Sequence, residues 1–469
     1  MGIIESIKCR MKAYFLINRA VERGLMLAFV LVAMCGSDAA QTANTDVGIH
    51  SLQIHLKLYP RDFKSYDALG ASFIQKGRET ADATYYELAK EALEKSLDLV
   101  SNGPDAASAK THMAEVAMSE HQFEDALSWA QEALALGSGD PSAWAIVGDA
   151  LTDMGEYERA EDAYSRLRDP LHPDDESNGL AYERNSRMAY LQFLKGDAPG
   201  AIKLMRAAIA VSITLRLPAE NVAWSHYQLG EICFKSGNLA DAEQAYKAGL
   251  AIDPNSYRNL AGLGEVRTAQ EKYPEAIALY RKAIAVVPYP AFAASLYDLY
   301  EKESRPDDAQ KQLELLEFMG TLNPLNERLL YRELALFYAD HDLKLEESVE
   351  LAKKELEVRH DIYTQDILAW VLFKNGKVPE AAEAMDKALA LGTEDALIDF
   401  HAGMIELKLG QPERAQKLFE NALALNPQFH LVYAEQTRER LRQLADSGTR
   451  AGSMSSSSVR GSKLGGSLE

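Results

Sequence analysis

"HYQLGEICFKSGNLADAEQAYKAGLAIDPN", His226 to Asn255, carries two amphipathic patterns separated by Ser236-Gly237-Asn238 and closed by Asp253-Pro254-Asn255. Apolar and small residues recur every three or four positions in both halves, which places them on one helical face. Gly237 supplies the turn and Pro254 stops the second half, so the stretch predicts a helical hairpin. One hairpin cannot bury its apolar face alone; it needs neighbours of the same kind.

Those neighbours are in the sequence. Leu229-Gly230, Ala242, Tyr246 and Pro254 return 34 residues later as Leu263-Gly264, Ala276, Tyr280 and Pro288. The same marks occur as Trp144, Gly148, Gly155, Tyr157, Ala160 and Tyr164, and again as Gly403, Gly410, Ala415, Phe419, Ala422 and Pro427. Gly376, Ala381 and Ala388 mark a further unit, and Ala126, Ala201 and Ala309 mark others. Small residues let the two helices of a hairpin approach, while Leu, Tyr and Phe fill the gaps between hairpins.

This pattern resembles the tetratricopeptide repeat over about residues 45 to 430. The resemblance implies an all-α, right-handed superhelical solenoid of about ten stacked helix-turn-helix hairpins with polar capping helices. It also implies a concave groove, lined by the first helix of each hairpin, that binds peptide or protein segments. The spacing is uneven, and longer steps predict insertions near Gly77 to Thr84, Pro170 to Gly179, Ser212 to Glu220 and Met319 to Asn326. Residues 45–60 read as an N-terminal half-repeat cap and 432–445 as a C-terminal capping helix, within a solenoid spanning 40–445. The Ser- and Gly-rich tail, 446–469, has too few apolar residues to pack and is expected to be disordered.

Before the repeats, Lys8, Arg10, Lys12, Arg19 and Arg23 precede the apolar stretch Leu25 to Cys35 and the small residues Gly36-Ser37-Asp38-Ala39. That order is the composition of a signal peptide over residues 1–39, cut after Ala39. It predicts an exported protein, periplasmic or secreted. The apolar stretch is too short to span a bilayer, which takes about 20 residues. A rival reading attaches lipid at Cys35, since Val32-Ala33-Met34-Cys35 resembles a bacterial lipobox apart from Met34, and would anchor the chain to a membrane through its N-terminus. Loss of residues 1–39 leaves only Cys233 of the three cysteines, so no internal disulfide is expected.

The formal charge of −20 disfavours nucleic acid, which is bound by clustered Lys and Arg. No phosphate loop, dinucleotide fingerprint or nucleophile elbow is present, and no catalytic residue, metal ligand set or cofactor is assigned. His50 and His55 are five apart, turned about 140° from each other on a helix, and do not form the usual i, i+4 metal clamp. Asp340-His341-Asp342 falls where a hairpin turn is expected. Cys233 and His226 occupy packing positions of their unit.

The residue after each small slot should face the groove. In the first six units these are Glu115, Asp149, Tyr190, Glu231, Glu265 and Asp298, five of them acidic. Further along, Tyr363, Trp370, Phe373, Phe400 and Met404 form an apolar set. The expected function is a non-catalytic scaffold whose acidic trough attracts basic segments and whose aromatic end anchors them. A second reading makes the chain an accessory subunit of an envelope glycan or polymer synthesis or export complex.

Overall fold

A computed structural model describes residues 42–460, apart from 138–140, Pro170, Pro173 and 321–329. The expected signal peptide, Cys35 and the last nine residues lie outside the described part.

Every regular element among the described residues is a helix. An opening helix, α1 (Thr42–Leu58), is followed by α2 (Phe63–Thr80) and α3 (Thr84–Leu99), which form the first hairpin. Hairpins two to four pair α4 (Pro104–Ser119) with α5 (Phe123–Ala135), α6 (Ala143–Asp153) with α7 (Tyr157–Ser165), and α8 (Gly179–Leu194) with α9 (Ala198–Thr214). Hairpins five to seven pair α10 (Ala219–Lys235) with α11 (Leu239–Ile252), α12 (Tyr257–Ala269) with α13 (Tyr273–Val286), and α14 (Pro290–Lys302) with α15 (Pro306–Gly320). Hairpins eight to ten pair α16 (Tyr331–Asp340) with α17 (Leu345–Val358), α18 (Ile362–Lys374) with α19 (Val378–Ala388), and α20 (Ala396–Lys408) with α21 (Pro412–Leu425). Helix α22 (Tyr433–Arg460) closes the array. Ten hairpins between two single helices match the expected architecture.

The hairpins close as their sequence requires. A Cβ on Gly148, Gly230, Gly264 or Gly403 would come within 2.2, 2.3, 3.0 and 2.5 Å of the rings of Tyr164, Tyr246, Tyr280 and Phe419 respectively. In each case the aromatic lies sixteen residues after the small residue, for example 246 − 230 = 16. The missing side chain is the space the ring fills. Each of the ten hairpin turns holds a residue in the left-handed region, Ala81, His121, Gly155, Gly196, Gly237, Glu271, Ser304, Asp342, Gly376 and Gly410, and that of hairpin eight holds Lys344 as well. Asp342 thus confirms the expected turn at 340–342. Side-chain caps start several helices, such as Asn238 on the Asp241 amide and Asp361 on the Thr364 amide at 2.7 Å.

Two of the expected insertions are taken up largely by longer helices, with the link expected near Ser212 to Glu220 reduced to residues 215–218. The extra residues near Gly77 lengthen α2, which is 18 residues long, and those near Ser212 lengthen α9 and α10, each 17 residues long. Ala208, Ile209, Val211 and Ser212 continue the buried face of α9, so apolar periodicity carries the helix through the insertion. Between α7 and Gly179, by contrast, the described residues of 166–178 lie outside any helix, as expected of a long link there. Most of the Met319–Asn326 insertion lies outside the described residues. Helix α22 runs past Ala445 to Arg460, beyond the boundary that composition suggested; extending a formed helix needs one bond per residue, with no new nucleus.

The stack curls until it meets itself. The turn of hairpin three touches the link between hairpins eight and nine, where the His360 amide donates to the Asp153 carbonyl at 2.8 Å and the Ile362 amide donates to the Tyr157 hydroxyl at 2.9 Å. The turn of hairpin four touches the link between hairpins nine and ten, with the Thr393 hydroxyl donating to the Leu194 carbonyl. The turn of hairpin five touches the link between hairpin ten and α22, where the Asn426 carboxamide donates to the Phe234 carbonyl at 2.8 Å. Each contact lies five and a half hairpins further along, so one superhelical turn closes directly upon the next. At these three rungs the left-handed residue is glycine. A Cβ would lie 2.8 Å from the His360 oxygen at Gly155, 2.6 Å from the Gly392 oxygen at Gly196 and 1.9 Å from the Leu425 oxygen at Gly237.

Candidate functional site

The first helices of successive hairpins form the inner wall of the superhelix. Glu115 on α4, Asp149 on α6, Tyr190 on α8, Glu231 on α10, Glu265 on α12 and Asp298 on α14 are all half-buried. The spacing of the small slots therefore placed them at equivalent positions, one per hairpin.

They do not form a bare acidic ladder. Arg78 of α2 pairs with Glu115 at 2.9 Å, and His341 with Asp298 at 3.2 Å. Arg187 donates from Nε to both oxygens of Asp149, at 2.9 and 3.0 Å, and the Tyr164 hydroxyl donates to the same carboxylate at 2.9 Å. The bases come from neighbouring first helices, where like charges a hairpin apart would otherwise repel. Sequence reasoning missed them, although Lys235 lies one turn after Glu231 on the same helical face and Arg187 one turn before Tyr190.

The middle of the wall is different. Lys235 reaches across the closure to Asp395, 2.5 Å away, and lies 4.7 Å from the centre of the Tyr363 ring, whose hydroxyl donates to Asp395 at 3.2 Å. Burial disfavours the Lys235 ammonium, but Asp395, Tyr363 and Glu231 together more than offset it and hold its pKa well above the usual lysine value. Burial works against the Asp395 carboxylate, but Lys235 together with hydrogen bonds from the Leu397 amide and the Tyr363 hydroxyl holds its pKa below the usual value.

Two further carboxyls share that single lysine. Burial raises Glu231 despite a 2.6 Å hydrogen bond from the Tyr246 hydroxyl. Burial, reinforced by the charge of Glu231, pushes Glu265 up to about 8. Among the described residues no basic side chain reaches Glu265 at ion-pair distance. A cavity of about 380 Å³ opens beside it, walled by Thr268, Tyr280, Asp298, Phe429 and His430. A second, of about 720 Å³, adjoins it, Asp298, Lys302, Leu431 and Glu435 lining both.

The aromatic set divides. Trp370 and Phe400 are 2% and 0% exposed, so they are core and offer no anchor surface. Trp370 donates from Nε1 to Asp340 at 2.7 Å and stacks on His401, while Phe400 stacks on Tyr433 of α22. Phe373, stacked on Trp370, and Met404 are half-buried at the edge of this cluster. Tyr363 belongs with the carboxyl group around Lys235. Position after a small slot identifies the inner side of a helix, yet tight curvature folds bulky inner residues of hairpins eight to ten into a shared core.

Cys233 is fully buried, its thiol pushed up to about 11 by burial, and fills a packing position as expected. His55 pairs with Asp62 at 2.9 Å. Among the described residues no three His, Cys, Asp or Glu side chains are grouped to hold a metal ion, and no helix is long and apolar enough to cross a membrane.

Family models for the tetratricopeptide repeat match residues 86–141 and 111–176, 223–256, 260–290 and 400–429. Solved structures that align with the chain include the APC/C hetero-tetramer Cut9–Hcn1, at 13% identity, covering 87% of this chain and 94% of that one with a TM-score of 0.33. A tetratricopeptide repeat protein from Parabacteroides merdae aligns at 20% identity, over 57% of this chain and all of its own, with a TM-score of 0.31. Yeast Tom70 aligns at 13% identity, over 82% of this chain and 96% of its own, with a TM-score of 0.31. No curated protein sequence matches the chain. The matched segments fall on hairpins two, three, five, six and ten, with the paired small and aromatic slots in place in hairpins three, five, six and ten, so that these stretches of the chain are tetratricopeptide repeats.

Proposed function

We propose that the chain is a binding scaffold for a protein segment bearing a Lys or Arg side chain, and that the cation seats at Glu231 and Glu265 on the inner wall. The repeat architecture supports a protein-interaction role. The observation that carries the finer reading is Glu265, which among the described residues has no basic side chain at ion-pair distance and lies beside a cavity of about 380 Å³ whose wall includes Lys302 and Arg438. Three carboxyls around Lys235 leave room for a second positive charge.

Binding there is coupled to protons. A cation beside Glu265 favours its ionised form, so between about pH 5 and pH 8 binding releases a proton and tightens as pH rises. Calorimetry with a Lys-rich peptide, in two buffers of different ionisation enthalpy, reads that release directly. Glu265→Gln should abolish it and weaken binding about tenfold. Equal affinity and equal proton release in the two proteins would sink the reading.

The order of bases, apolar stretch and small residues before Ala40 supports placing this scaffold outside the cytoplasm, with the N-terminus either cut after Ala39 or lipid-anchored at Cys35. Mass spectrometry of the N-terminus in a bacterial host tests it. A chain retaining residues 1–39 in the cytoplasm would oppose it.

A further inference from the structure

The inner wall is assembled from both superhelical turns. Tyr190, Glu231 and Lys235 come from hairpins four and five, whereas Tyr363 and Asp395 belong to hairpin nine and the link into hairpin ten, five hairpins later. With the turns in contact, Asp395 is only 3% exposed and the other four are half-buried. Lys235 and Asp395, 2.5 Å apart, leave no gap between the turns at that point.

What joins the turns differs from what joins neighbouring hairpins. Neighbours share an apolar core of Ala, Leu, Tyr and Phe. The rungs also carry backbone and side-chain hydrogen bonds at His360, Ile362, Thr393 and Asn426, with ion pairs from Lys235 to Asp395 and from Arg359 to Asp153 at 3.2 Å, beside the buried Tyr157, Leu194 and Ile362. Water can replace every one of those polar contacts, while it cannot replace apolar burial. A small rotation at each hairpin interface adds up over five and a half hairpins, so the turns can part with neighbouring hairpins still packed.

Glycine at the rungs serves contact rather than conformation alone. His121, Glu271, Ser304 and Asp342 hold the equivalent left-handed position in other turns, at φ of 54°, 58°, 55° and 54°. At Gly155, Gly196 and Gly237 any side chain would strike the backbone oxygen opposite.

We propose that these three rungs form a releasable latch: the closed superhelix opens along them, below the threshold of unfolding, to admit a segment to the inner wall. This rests on the inner-wall reading for its occupant, but the latch itself is measured without one.

The Ile362 amide begins a helix and the His360 amide lies in a link, so neither has an intrahelical acceptor; their bonds are made across the rung. In the wild-type protein both should exchange with solvent at least tenfold faster than amides in the middle of α18. Exchange of both only at the rate of global unfolding would overturn the latch. Gly196→Ala with Gly237→Ala should raise the radius of gyration in solution scattering and speed both amides, with helix content unchanged. Gly376→Ala with Gly410→Ala is the control, because those glycines have φ of 74° and 77° and nothing within 4 Å of a Cβ. Equal changes in both pairs, or none in the first, would overturn the proposal. If the latch opens and a Lys-rich peptide still does not bind, the inner-wall reading fails while the latch stands.

Discussion

The backbone oxygen of Leu425 lies 1.9 Å from where a Cβ on Gly237 would stand, although the two residues are 188 positions apart. An array built from local hairpins is therefore also held by contacts between its distant parts.

Gly230→Ala should destabilise the protein more than Gly264→Ala. The new methyl would lie 2.3 Å from the ring of Tyr246, which is 0% exposed and has nowhere to move, but 3.0 Å from that of Tyr280. Overpacking costs about 1–3 kcal/mol and is partly offset by about 1 kcal/mol of helix propensity gained over glycine. Chemical denaturation of both variants should show a net loss of about 1–2 kcal/mol for the first and near neutrality for the second.

Trp370→Ala should cost about 3–5 kcal/mol, since it empties a buried site and leaves the Asp340 carboxylate without the indole donor. Met404→Ala, at a half-buried site, should cost less. Thermal melts with circular dichroism compare them; a Trp370→Ala protein of unchanged stability would return that residue to the binding surface.

Stability should fall as pH rises from about 5 to 8.5. In the folded chain burial lifts Asp153 to about 6, Asp399 to about 7 and Glu265 to about 8, against ordinary values of 3.8, 3.8 and 4.5. Carboxyls with raised folded values hold protons that the unfolded chain has released, so their contribution is fully present below about pH 4 and is lost through pH 8. Glu265→Gln with Asp399→Asn should flatten the slope of melting temperature against pH and raise stability at pH 8.5.

Cys233 should resist alkylation in the folded protein at pH 8. Its thiol is buried with its pKa pushed up to about 11, and the thiolate is the reactive form. In a Cys9→Ser, Cys35→Ser background, labelling with iodoacetamide should proceed only at the rate at which hairpin five opens. Rapid labelling of a native sample would show that the seam around Cys233 is loose.

The hairpins were legible because their determinants are local: Gly230 and Tyr246 are sixteen residues apart, and Gly237 and Pro254 mark a turn and a stop. The register along the first helices was legible for the same reason, and it puts Glu231 and Glu265 at equivalent positions of neighbouring hairpins. The burial of Trp370 and Phe400 was not, because it depends on how sharply hairpins eight to ten curve and bring Tyr433 against them. Nor were the partners of the acids, since Arg78 and Glu115, or Lys235 and Asp395, meet only after stacking and closure. Thr393 and Asn426, polar residues in the links between helices, carry the side-chain bonds of closure, and in sequence they look like ordinary link residues.

The rungs also govern how the chain reaches its final form. Hairpins need only neighbours and can collapse in any order, whereas the bond from Asn426 to Phe234 spans 192 residues and that from Ile362 to Tyr157 spans 205. Contacts of such separation form late, because the chain between them must first be ordered. During synthesis the turns at Gly155, Gly196 and Gly237 emerge long before the links that cover them. The final event of folding is therefore a docking step, with a rate set by the stiffness of the intervening hairpins rather than by their formation.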